Sequence, residues 1–84
     1  MKVVKLDKRH KLYHNGFTHA FRFDRWNDEA RVVENKITEK FKGQYSGKWQ
    51  TYWGKAKIVD QVRFRPYWIG VRNDAIITQV LLSI

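Results

Sequence analysis

Seven cations, seven aromatic rings and a single acid, Asp60, fall between Lys42 and Arg72. Ammonium and guanidinium groups neutralise phosphates and flat rings stack on bases, so this pairing points to nucleic-acid binding. Strand-like alternation sorts the segment into two faces. Over 48–53, Trp49, Thr51 and Trp53 share one side, and Lys48, Gln50 and Tyr52 the other. Over 62–72, Val62, Phe64 and Trp68 group together, opposite Arg63, Arg65 and Tyr67. The parity therefore assigns Trp49, Trp53, Phe64 and Trp68 to the core. It leaves Lys48, Tyr52, Arg63, Arg65 and Tyr67 as a phosphate-binding surface with Lys55 and Lys57 on its rim, and Tyr52 and Tyr67 as the stacking rings.

A second basic cluster runs from Lys8 to His14. Lys8, Arg9 and Lys11 are expected to assist as a phosphate clamp, strengthened below about pH 6.5 as His10 and His14 gain charge. The plainer alternative is a solvated polar loop. His10, His14 and His19 are spaced four and five apart, which aligns metal ligands only on a helix. A turn at Gly16 and a strand intervene, and no cysteine completes a set, so neither metal nor cofactor is expected.

Signals for catalysis are sparse. Asp24 with Asp28, or Glu34 with Asp60, would pair carboxylates, but nothing in their spacing sets a working distance. Ser46 and Ser83 lack a nucleophile context, and residues 43–47 lack the Lys-Ser/Thr ending of a phosphate-binding P-loop. The sequence predicts a binding protein and not an enzyme.

The elements that must position these groups are partly legible. Residues 3–6 read as a first strand, and Asn15-Gly16 as a hairpin turn into a second over 17–25 that places Phe17, His19, Phe21 and Phe23 on one face. A helix is expected over about 28–42. Asn27 is its N-cap, Asp28 and Glu29 suit the positive end of the dipole, and Gly43 is its stop. Ala30, Val33, Ile37 and Phe41 form its buried stripe. Extended segments follow over 48–53, 57–60 and 62–72, with Pro66 demanding an edge, bulge or break. The end reads as a short helical turn near 74–79 and then a strand over about 79–83.

The expected architecture is a single α+β domain over 1–84, a two-layer arrangement of one main helix on an antiparallel or mixed sheet of four to five strands. From Phe17 onward the order is compatible with a ferredoxin-like plan, the one used by the single-stranded-RNA-binding RRM module. The aromatic signature of that module is absent, because Arg65-Pro66-Tyr67-Trp68-Ile69-Gly70-Val71 fails it at the first glycine.

Composition bounds the rest. Net charge is +9 and there are no cysteines, which excludes disulfides and thiolate chemistry and suits an intracellular, cytoplasmic setting. No apolar run approaches a membrane span of about 20 residues, so no membrane association is expected. The charge sits on the segments flanking the helix: residues 1–25 carry seven cations and two acids, whereas 28–41 carry three and four. Solubility alone would account for a positive field; DNA or RNA as partner is the sharper expectation. The alternative function is a protein-interaction module, docking an acidic partner through the same cations or forming a homodimer through the apolar C-terminal segment.

Overall fold

The computed structural model describes all 84 residues. A four-stranded antiparallel sheet runs in the order β1-β2-β6-β3, built from β1 (Lys2–Lys5), β2 (His19–Phe23), β6 (Tyr67–Val71) and β3 (Trp49–Trp53). The remaining strands, β4 (Lys57–Val59) and β5 (Val62–Phe64), pair only with each other as a separate hairpin. The helices are α1 (Lys11–His14), α2 (Asp28–Phe41) and α3 (Asp74–Leu81). The α+β class is as expected from sequence.

Helix α2 forms where its signals place it. Asn27 Oδ1 accepts from Ala30 N at 2.9 Å, and Ala30, Val33 and Ile37 are fully buried. They pack with Phe21, Phe23, Trp49, Ile69 and Val71 of the sheet and with Ile76, Ile77 and Val80 of α3. The helix does not stop on Gly43. Lys42 instead takes an extended conformation with positive φ (φ 64°, ψ −169°), and its carbonyl accepts from Trp49 Nε1 at 2.7 Å.

The C-terminal segment is helix from Asp74 to Leu81 and ends in a turn, not a helical turn followed by a strand. Asn73 caps α3 by accepting from Ile76 N at 3.2 Å. The sheet edge that a C-terminal strand would occupy in a ferredoxin-like order is taken by β1, from the other end of the chain. The tight hairpin expected at Asn15-Gly16 is also replaced: β1 and β2 do pair, but α1 lies between them and Gly16 (φ 93°) closes its end. Strand β3 has an occupied outer edge, since Gln44 Oε1 accepts from Thr51 N at 3.1 Å.

Pro66 decides the parity of everything after it. It ends β5, carries no N–H for a ladder, and restarts the chain in β6. Phe64 and Trp68 therefore do not continue one face. Tyr67, Ile69 and Val71 face the helices, and Tyr67 is only 4% exposed with its hydroxyl donating to Glu34 Oε1. Trp68 and Gly70 face the other way.

That second face is also covered. Ala20 of β2 lies directly across from Gly70 of β6, and these two small residues leave a hollow. Leu12 and Phe17 fill it, with Leu6 beside them, so Phe17 belongs to this cluster and not to the face of Phe21 and Phe23. The fit is close: a Cβ on Gly70 would lie 3.0 Å from Leu12 Cδ1.

Two expectations follow. Gly70→Val overfills the seat of α1 and should cost about 1–3 kcal/mol in chemical denaturation. Lys42→Gly removes a backbone conformation worth about 1–3 kcal/mol of strain, against about 0.4–1 kcal/mol of added freedom in the unfolded chain, so its melting temperature should rise.

Candidate nucleic-acid interface

The register of the sheet lays out the site. Arg22 of β2, Trp68 of β6 and Tyr52 of β3 are direct neighbours across three strands and share the face away from α2 and α3. Leu12 seated on Gly70 brings the start of α1 above this row. His10 lies there, with its ring 4.4 Å from that of Trp68 and 5.1 Å from that of Tyr52. The Arg22 guanidinium sits over the indole of Trp68 at 5.4 Å. Both rings are thus half-buried supports, and they orient the charged groups beside them.

Around this floor is a depression of about 410 Å³ with Arg9, Lys11, Arg22, Lys55 and Lys57 in its lining and no acidic residue among them. Arg9 and Lys11 come from the α1 side, and Lys55 and Lys57 from the base of the hairpin. Clustered like charges raise the local positive potential and favour an anion between them. Arg9 is partly compensated: its Nη2 is 2.8 Å from Asp7 Oδ2. The Arg9 hydrogen bonds hold the Asp7 carboxyl well below its ordinary 3.8, at about 2. Arg22 Nη1 likewise donates to Asp24 Oδ1 at 3.1 Å.

A second depression of about 420 Å³ adjoins the first, sharing Arg22, Lys57 and Pro66. It adds one acid, Asp24, and Arg25, whose guanidinium lies 5.5 Å from the ring of Phe64 and ties the hairpin to the body. The two form one trough, with α1 on one side and the hairpin on the other.

Of the ten residues expected from sequence, Tyr52, Lys55, Lys57, Arg9 and Lys11 line this trough. The others lie elsewhere. Tyr67 is core, so it offers no face to a base. Arg65 stacks over Trp53 at 5.5 Å, on the helix side of the sheet, and its Nε donates to Gly54 O at 3.3 Å. Lys48 sits above Phe41 at 5.8 Å. Arg63 pairs in register with Ile58, on the hairpin face opposite Lys57 and Phe64. Lys8 is exposed outside the trough lining, and its carbonyl accepts from His14 Nε2 at 2.7 Å.

Sequence parity missed Arg22, Arg25 and Trp68. Arg22 had a visible signal, since it alternates with Phe21 and Phe23 and must face away from them. Trp68 had none once Pro66 was read through as continuous strand. Trp53 and Phe64 were expected in the core, yet Trp53 is 43% exposed and Phe64 lies in the trough wall.

The three histidines separate. His10 Nδ1 accepts from Leu12 N at 3.0 Å and caps α1; His14 bonds Lys8; His19 Nδ1 contacts Thr18 Oγ1 at 2.8 Å. No protein-family model matches the chain, and no curated protein or solved structure matches it either. No helix is long and apolar enough to cross a membrane.

Burial holds the pKa of His10 below 6.5, opposed by the nearby Asp7 charge. The cap needs an unprotonated Nδ1, which works in the same direction. His10 therefore resists the acid-side charging expected from sequence. As pH falls, the unfolded chain takes up this proton before the folded one, so the stabilisation is complete above pH 6.5 and lost as pH drops through the folded value. Denaturation midpoints measured from pH 7.5 downward should fall below pH 6.5, and His10→Asn, which keeps a capping acceptor, should flatten that dependence.

Proposed function

We propose that this protein binds nucleic acid through the trough, chiefly by contacts to the phosphate backbone. The observation that carries the reading is the convergence of five cations from α1, β2 and the hairpin base on one depression without an acid in its lining. Its floor rings are half-covered by His10 and Arg22, which favours phosphate contact over extensive base stacking. Backbone contact of this kind positions a strand without reading its sequence.

The alternative, a protein-interaction module, has a different observation behind it. Ile58, Leu82 and Ile84 are exposed at 76%, 83% and 61%, apolar surface that a partner or a second copy would cover. Concentration-dependent sedimentation with no retention of oligonucleotide would favour that reading.

Fluorescence anisotropy with labelled oligonucleotides tests the proposal. Neutralising about four phosphates predicts an affinity loss on the order of 50-fold between 50 and 200 mM salt. Lys55→Glu with Lys57→Glu should weaken binding at least tenfold. Lys48→Glu with Arg65→Glu changes net charge equally and should weaken it less than threefold. Equal losses from the two pairs would mean that overall charge, and not the trough, does the binding.

A further inference from the structure

We infer that the trough takes a single strand of nucleic acid and excludes a duplex, the β4–β5 hairpin serving as its second wall. This inference rests on the nucleic-acid reading of the same site. Its basis is the depth of one cation, Arg22, among others that stay exposed. Arg22 projects from the sheet itself and is half-buried on Trp68, at the floor shared by both depressions. A duplex presents its phosphates on a convex surface, with grooves about 12 and 6 Å wide. Against α1 on one side and the hairpin on the other, that surface meets the rim cations and leaves Arg22 without a phosphate. A single strand has no such cylinder and can lie along the floor.

The hairpin is built to be a wall. It pairs with no strand of the main sheet, and Asp60 and Gln61 turn it tightly with φ of 50° and 64°. A two-stranded ribbon is marginal in isolation, so its position depends on its anchors. Gly54 N donates to Pro66 O at 2.8 Å at the base, and Arg25 and Arg65 hold it by their stacks on Phe64 and Trp53. Register assigns its two faces unequal roles. Lys57, Val59 and Phe64 face the trough, offering one cation and an apolar surface for sugar or base, whereas Ile58 and Arg63 face away.

The test is anisotropy with labelled dT12, rU12 and a dT12·dA12 duplex at one salt concentration, on the wild-type chain and on Lys57→Gln and Arg63→Gln. Single strands should bind more than threefold tighter than the duplex, and Lys57→Gln should weaken single-strand binding at least threefold while Arg63→Gln does not. The dT12 and rU12 arms identify which kind of strand is preferred, and either preference satisfies the inference. Duplex binding as tight as or tighter than dT12 overturns the inference and leaves the nucleic-acid reading standing. No binding by any of the three overturns both. Arg22→Gln should selectively weaken the single strands; its melting temperature separates that effect from loss of the Trp68 stack, and Lys57→Gln, at an exposed position, carries the test if it unfolds.

Discussion

The whole arrangement depends on the burial of strand β6 from both sides. Tyr67, Ile69 and Val71 lie against α2 and α3, while Gly70 lies under Leu12 and Phe17. A domain of this size buries only about 60–65% of its unfolded surface, so two separate apolar clusters on one sheet use most of its large side chains. The second cluster is the smaller, with Leu6, Leu12, Phe17 and Ala20 buried. It nonetheless fixes the geometry of the trough, because the seat of Leu12 on Gly70 brings Arg9, His10 and Lys11 over the row of Arg22, Trp68 and Tyr52.

The charges are affordable to the fold because they stay at the solvent edge of that cluster. Arg22 is the exception, half-buried with Asp24 and the Trp68 ring as its partners. Rings that looked like base-stacking platforms act instead as supports. Under the proposed function, such a surface would bind by phosphate neutralisation, with affinity that falls with salt.

Helix α2 was legible because its cap, its apolar stripe and its dipole charges agree, and local signals suffice for such an element. Strand β3 was legible for the same reason, its alternation being unbroken. The exchange of Tyr67 and Trp68 between faces was not, because alternation carries no record of a break, and Pro66 admits several. The C-terminal segment failed on tertiary grounds: the edge available to a last strand is filled by Lys2–Lys5, a pairing between residues distant in sequence. Half of the expected site residues converge in the trough, and Tyr67, the one that follows Pro66, is misplaced by that break.

The most direct measurement of the central claim is a ¹H–¹⁵N NMR titration of the folded chain with a short oligonucleotide. The account predicts shifts concentrated at Arg9, Lys11, Arg22, Lys57 and the Trp68 indole, with α2 and α3 unchanged. Shifts centred on α2, α3 or the C-terminal residues, or none at all at low salt, would contradict it.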